Sequence, residues 1–357
     1  MGKFKVTLAE KSRYESINWK DLRFGKYFSD HVFISDYTNG KWDDGQIIPY
    51  GPMEIEPACC TLHYSQTIFE GLKAFRDVKG GINIFRPEKN AERMNRSAVR
   101  MVIPTYPIET FLEAIVELVK IDHKFVPTER GHSLYIRPVS FGISNFLGVH
   151  PSSDYRLMIM TSPVASYYPE GLKPVKILVE DNYVRAAPGG VGFAKTGGNY
   201  AASLYAAQKA SEKGYAQVLW LDAVTKEFVN EVGAMNIMFV INDELITPPL
   251  EYGTILPGVT RDSVLTLARD WGLKVSERNI SIHEIKKAAD NGNLQEVFGT
   301  GTAAVISPVG VLGYKGEDII INNQEIGPIA KKFYDTITGI QHGEIEDTYK
   351  WNLHLDI

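Results

Sequence analysis

Cysteine is almost missing from this chain: two among 357 residues, the adjacent Cys59 and Cys60. Neighbouring cysteines rarely bridge, and two cannot make a disulfide framework or a four-ligand zinc site. A reducing compartment is the expectation. Long apolar runs are missing too, since stretches such as Ile237 to Ile241 fall far short of the roughly 18 residues that span a bilayer. The opening MGKFKVTLAEKSRYES lacks the apolar centre of a secretory signal, and Val6 stands where a myristoylation pattern wants Ser or Thr. These absences predict a cytoplasmic protein with no membrane partner. No basic run of five or more residues occurs, and a net charge of −5 from 38 basic and 43 acidic side chains is too mild for a nucleic-acid binder. Internal repeats and low-complexity segments are also lacking.

What is present is ordinary for a folded chain: 44% hydrophobic and 23% charged residues. The length is a little over twice the ~150-residue domain unit, so two domains are expected, each large enough to bury a core without staples. Helical periodicity marks 109–124, 199–213, 260–271 and 328–341. Pro87 introduces a further helix over 88–101, with Arg93, Arg96 and Arg100 near one face. Strand patterns mark 133–141, 155–162, 175–180, 216–222, 235–241 and 295–300. Strands outnumber helices without regular alternation, which predicts an α+β fold rather than a doubly wound sheet. The segment Pro163 to Pro174 holds three prolines and a glycine between strand patterns. It divides the chain into an N-terminal domain 1–163, a linker 164–174 and a C-terminal domain 175–357.

The densest chemical signal is Ala187-Pro-Gly-Gly-Val-Gly-Phe-Ala-Lys-Thr-Gly-Gly-Asn-Tyr200, where five glycines surround one of the chain's 24 lysines. The bland reading is a flexible loop with an exposed amine. Gly189 to Thr196 also comes within one substitution of a phosphate-binding P-loop, and Val218-Leu-Trp-Leu-Asp222 resembles its partner strand. Two points oppose that nucleotide reading. Gly197 and Gly198 follow the lysine, each costing ~1 kcal/mol inside a helix, and the strand that should feed the loop ends near Glu180. Gly299 to Ala304 fits G-x-G-x-x-A, but a proline-bearing strand follows it where a dinucleotide site needs a helix.

A lysine in a tight glycine bed suits Schiff-base chemistry, which needs a desolvated, fixed amine. Pyridoxal phosphate asks further for an anion site, a group facing its ring nitrogen and a donor to its phenolic oxygen. Leu256-Pro-Gly-Val-Thr-Arg261 runs from a turn into a helix, and such a helix start can bind an anion. Phe298-Gly-Thr-Gly-Thr-Ala303 is a second loop rich in hydroxyls. Asn230-Glu-Val-Gly-Ala-Met-Asn236 places a carboxylate among small and apolar residues. Alone, each reads more simply as a capped helix, a plain turn or an edge-strand glutamate in water; together they suggest a cofactor site.

At these residues the sequence resembles the branched-chain amino-acid aminotransferases, members of the class IV pyridoxal-phosphate enzymes that also include D-amino-acid aminotransferase and aminodeoxychorismate lyase. The resemblance is carried by Tyr64 to Phe75, Phe85 to Met94, Tyr135-Ile-Arg-Pro138, Gly189 to Tyr200, Asn230 to Asn236, Leu256 to Arg261 and Gly299 to Ala303, in the family's order. It implies a two-domain fold-type IV enzyme with the cofactor between the domains. It also implies transamination of L-leucine, L-isoleucine and L-valine with 2-oxoglutarate. Lys195 would carry pyridoxal 5'-phosphate as a Schiff base and move the proton. Glu231 would meet the ring nitrogen and Tyr200 the phenolic oxygen, while Arg93, Val259, Thr260 and Thr302 would hold the phosphate. The side-chain pocket would comprise Tyr64, Phe69, Tyr135, Val149 and Tyr167. Arg137, with Gln217, would take the distal carboxylate of glutamate, and the N–H groups of Thr302 and Ala303 the α-carboxylate. A homodimer is implied, with 144–150 as the loop lent to a neighbour. Animal members carry a Cys-x-x-Cys where this chain has Ala304 and Ser307, so a thiol switch there is not expected.

Overall fold

Side-chain alternation along a strand puts successive residues on opposite faces of a sheet. In the strand Ser133–Gly142 it sends Leu134 and Ile136 into an apolar core and leaves Tyr135 and Arg137 on the other face. Register extends that second face: Lys73 lies opposite Tyr135, and Phe69 lies opposite Val139. The helix Ile108–Ile121 covers the core side, burying Phe111, Ala114, Ile115, Leu118 and Val119 at spacings of three and four. Burying each large apolar side chain there contributes about 1.5–3 kcal/mol. The helix Pro87–Arg100 is different, because its buried face also carries Asn90, Arg93 and Ser97.

The computed structural model describes residues 3–167 and 172–357; 168–171, within the expected linker, lie outside the described residues. The chain packs as two compact units. The first comprises Met1–Tyr167, Ala194–Gly197 and Gly339–Ile357, and the second Tyr168–Phe193 and Gly198–Thr338.

The first unit is built on a ten-stranded sheet. Its centre runs His31–Thr38, Tyr155–Val164, Ser133–Gly142, Leu72–Arg76, Ile82–Phe85, all antiparallel. The C-terminal strand Asn352–Leu355 closes one edge against Ile82–Phe85. The second unit holds a mixed sheet of nine strands. There Val175–Glu180 lies parallel to both Gln217–Leu221 and Val305–Tyr314, and Leu294–Gly301 runs antiparallel between Val305–Tyr314 and Asn236–Ile241. The helix Pro328–Gln341 starts beside Glu296, whose carboxylate accepts from the N–H groups of Ile329 and Ala330.

The α+β expectation holds, and each expected helix and strand is present with ends moved by a few residues. One difference bears on an argument. The helix expected from residue 199 opens at Gly197 and runs to Glu212, so the two glycines do not keep it away from Lys195. They occupy its first turn, where N–H groups have no partner inside the helix and the cost of glycine is small. The other objection to a P-loop stands, since the strand Val175–Glu180 ends well before the loop.

Candidate active site

Lys195 is fastened through its backbone. Its carbonyl accepts from the Phe69 N–H at 3.0 Å, its N–H donates to Ser97 Oγ at 2.9 Å, and Thr196 bridges Ile68. The residue keeps part of its surface, but burial of its amine, reinforced by the Arg93 charge, pushes its pKa down to about 8. Nζ stands 4.8 Å from the centre of the Phe69 ring. The Arg137 guanidinium lies over the same ring at 4.8 Å and 5.2 Å from that of Tyr135, and its Nη2 donates to the Tyr135 hydroxyl at 3.1 Å. Gly71 makes room for that hydroxyl, which a side chain at 71 would strike. The Nε of Arg137 is buried and finds no acceptor among the described residues. Expected residues Lys195, Phe69, Tyr135 and Arg137 therefore come together in the first unit.

Arg93 is buried, and it faces a carboxylate that the sequence did not single out. Its Nε and Nη2 donate to the two oxygens of Glu70 at 2.7 and 2.8 Å. Burial opposes ionisation of Glu70, but the Arg93 charge and its hydrogen bonds outweigh it and hold the carboxyl below its usual range. Lys73 is a second buried amine on the Tyr135 face, and burial pushes its pKa down to about 8. The available signal for Lys73 was a charged residue inside the otherwise apolar start of the strand Leu72–Arg76.

In the second unit, Glu231 lies in the strand Val229–Val232 at the sheet edge, yet it is buried, against the reading of an edge glutamate in water. One oxygen pairs with Arg185 Nε at 2.9 Å, and the other accepts from the Leu256 N–H at 2.7 Å. Arg185 is itself fixed by the carbonyls of Thr254 and Gly192; it is another residue that the sequence reading passed over, two positions before the glycine-rich segment. Tyr200 lines one recess with Arg185, Asn199, Ser203 and Glu231. Gln217 packs on Gly233, whose positive φ of 54° and missing Cβ both require glycine. Val259 and Thr260 are buried at the start of the helix Val259–Asp270, after Gly258, which offers no side-chain cap. Thr302 and Ala303 form the half-buried turn between the strands Leu294–Gly301 and Val305–Tyr314.

Three expected pocket residues stand at the surface of the first unit: Tyr64, Val149 and Tyr167 are all exposed. Ala304 and Ser307 are buried next to the turn, and neither is a thiol.

Residues 67–311 match the amino-transferase class IV family. Branched-chain-amino-acid aminotransferase 2 of Bacillus subtilis strain 168 is 54% identical over 335 residues, which is 94% of this chain and 92% of that protein. Among solved structures, the Escherichia coli branched-chain amino acid aminotransferase superposes with a TM-score of 0.74 at 28% identity, covering 90% of this chain and 98% of that one. The branched-chain aminotransferase of the thermophilic archaeon Thermoproteus uzoniensis, solved with norvaline, gives 0.74 at 27% identity, covering 90% and 99%. This chain thus belongs to the class IV aminotransferases, alongside the branched-chain-amino-acid aminotransferases of these organisms.

Proposed function

We propose that this chain transfers the amino group of L-leucine, L-isoleucine or L-valine to 2-oxoglutarate, with pyridoxal 5'-phosphate as cofactor. The carrying observation is the half-site around Lys195: a desolvated amine facing one aromatic ring and a guanidinium fork. The residues fit the cofactor on chemistry visible in the structure. An amine with a pKa of about 8 is partly unprotonated near neutrality. A buried carboxylate at Glu231 suits a pyridinium, and Arg93 and the helix start at Val259–Thr260, preceded by glycine, suit a phosphate.

Pyridoxal phosphate, when bound, supplies an aldehyde carbon to join to an amine and a ring that accepts the electrons released at the substrate's Cα. The remaining roles belong to the chain. Lys195 Nζ takes the Cα proton and returns it. Glu231 holds the ring nitrogen, itself steadied by Arg185 and the Leu256 N–H. Tyr200 donates to the phenolic oxygen, and Arg93, Val259, Thr260 and Thr302 take the phosphate. The rings of Phe69 and Tyr135 make an apolar wall for a branched side chain, and burial against it is worth ~25 cal/mol per Å². Arg137 meets the distal carboxylate of glutamate, with Gln217 assisting, while the N–H groups of Thr302 and Ala303 take the α-carboxylate.

A homodimer in a reducing cytoplasm completes the reading. Cys59 and Cys60 are buried and unpaired, which suits that compartment. The 144–150 loop is anchored on the segment 58–64, by Phe146 N–H to Ala58 O and Tyr64 hydroxyl to Leu147 O, and displays Leu147 and Val149 outward. Tyr64, Val149 and Tyr167 fill the side-chain pocket in that assembly. The test is an amino-donor panel on purified protein with pyridoxal phosphate. Yellow protein converting L-leucine and 2-oxoglutarate to glutamate is the expected result, with Lys195→Ala inactive. Turnover of D-alanine but not L-leucine would instead place the chain with the D-amino-acid enzymes, and magnesium-dependent ATP binding without the yellow cofactor would return the P-loop reading.

A further inference from the structure

Glu70 is fully buried, at 0% exposure, and its carboxylate is surrounded by hydrogen-bond donors. Oε1 accepts from Arg93 Nε at 2.7 Å. Oε2 accepts from Arg93 Nη2 at 2.8 Å, Asn90 Nδ2 at 2.8 Å and the Gly71 N–H at 3.1 Å. Asn90 and Arg93 are three residues apart on one helix, so both reach the carboxylate from the same face. A buried charge with this complement of donors is a fixed feature of the fold.

The pair also belongs to a closed ring that passes through Lys195. The Lys195 N–H donates to Ser97 Oγ, and Ser97 Oγ donates to the Arg93 carbonyl one turn back. Arg93 pairs with Glu70, Glu70 follows Phe69, and the Phe69 N–H returns to the Lys195 carbonyl. Four hydrogen-bonded links and one peptide bond tie the amine-bearing residue, the guanidinium and the carboxylate together.

We propose that Glu70 is a positioning residue for Lys195: its carboxylate locks the Arg93 guanidinium and offsets its charge, so the amine stands beside a neutral pair rather than a bare cation. The charged and titratable groups facing the amine are Arg93 from the helix, Glu70 beside Phe69, and Tyr135 and Arg137 from the strand Ser133–Gly142. Glu70 and Tyr135 favour the protonated amine; Arg93 and Arg137 oppose it. Removing Glu70 alone leaves the Arg93 and Arg137 charges less opposed, and the amine becomes a weaker base.

The inference rests on Lys195 being the lysine that takes the cofactor. The experiment follows capture of pyridoxal, which lacks the phosphate, by the full-length cofactor-free protein as a function of pH. Borohydride reduction and peptide mass mapping then show which lysine reacted. Wild type should react at Lys195 with a midpoint near pH 8. Glu70→Gln should lower that midpoint by half a unit or more, and Glu70→Asp, which keeps the charge, should recover most of the shift. A variant changed only in packing would lose rate or stability without moving the midpoint. If Glu70→Gln does not fold, the double variant Glu70→Gln/Arg93→Gln carries the test, because a hydrogen-bonded neutral pair replaces the ionic one. With both charges gone its midpoint should rise by less than half a unit, since two opposing effects vanish together and that of Arg93 is the larger. A rise of half a unit or more would mean that Arg93 acted uncompensated and would overturn the role of Glu70, as would an unmoved midpoint in folded Glu70→Gln. Labelling at another lysine would instead overturn the assignment of Lys195.

Discussion

Arg137 shows how much of a site can be decided by one nitrogen. Its Nη2 is engaged with Tyr135, but its Nε is buried without an acceptor among the described residues. A buried donor left unmet costs about 1–3 kcal/mol, and a carboxylate ligand that met it would recover that amount. Arg137→Leu is therefore expected to raise KM for 2-oxoglutarate about 10- to 100-fold, at roughly tenfold per 1.4 kcal/mol, while KM for L-leucine changes by no more than a few-fold. Equal losses for both substrates in steady-state kinetics would refute this division of labour. The sequence exposes such a residue only in part. Arg137 stood out because Tyr-Ile-Arg-Pro matches a family segment, whereas Glu70, inside an equally recognisable segment, carried no mark of its own. Its meaning depends on Arg93, 23 positions away, and local pattern says nothing about a pairing across that distance. Arg93 likewise stood out, before the family resemblance, only as one of three arginines near one helix face.

At the scale of elements, the long periodic segments were legible and the short ones were not. The five expected helices lie within a few residues of their places; Ile108–Ile121 carries a full apolar face at helical spacing, whereas Gly197–Glu212 buries only Ala206 and Ala210. The short helix Cys60–Tyr64 buries only Cys60, and Ile282–Asp290 buries just Ile282, Ile285 and Ala288, so neither has enough turns to stand out. The strand Leu72–Arg76 was hidden by Lys73, a charge on a face that reads as solvent until the fold covers it. Loops depend on similarly specific groups. Asp222, after the strand Gln217–Leu221, accepts from the N–H groups of Val224, Thr225, Glu227 and Phe228 and from the Thr225 hydroxyl. Partial burial pushes its pKa up, but the hydrogen bonds outweigh it and hold the carboxyl far below the usual carboxylate range. A depressed folded-state pKa adds stability above the unfolded value near ~4 and loses it as pH falls through the folded value. Asp222→Ala should therefore lower unfolding stability at pH 7 by about 1–3 kcal/mol in urea titrations. The gap to wild type should narrow steadily below about pH 4; a gap that widened on acidification would show that the carboxylate is not the stabilising form.

For the whole molecule, the 144–150 loop is the feature that asks for a partner. Leu147 is 70% exposed and Val149 88%, with Leu62 at 57% close by in the chain segment that anchors them. Single exposed apolar side chains need no explanation, but several on one anchored loop mark a surface built to be covered. The anchoring is specific, because Ser144 O takes the Cys60 N–H and the Phe146 ring stacks on His150 at 3.9 Å. A loop held this firmly with its apolar tips outward suits the proposed contact with a second copy. The homodimer proposed above would also account for Tyr64 and Val149, expected pocket residues that are exposed on the single chain. Leu147→Asp/Val149→Asp is expected to convert a dimer into a monomer in sedimentation velocity, since a charge buried in an apolar contact costs several kcal/mol. Substrate affinity should fall with it: the monomer would bind L-leucine more weakly by an order of magnitude or more, while each chain still captures pyridoxal phosphate at Lys195. A variant that remained dimeric with unchanged KM would place the interface elsewhere. A monomeric variant with full leucine affinity would leave the interface at this loop but remove Tyr64 and Val149 from the pocket.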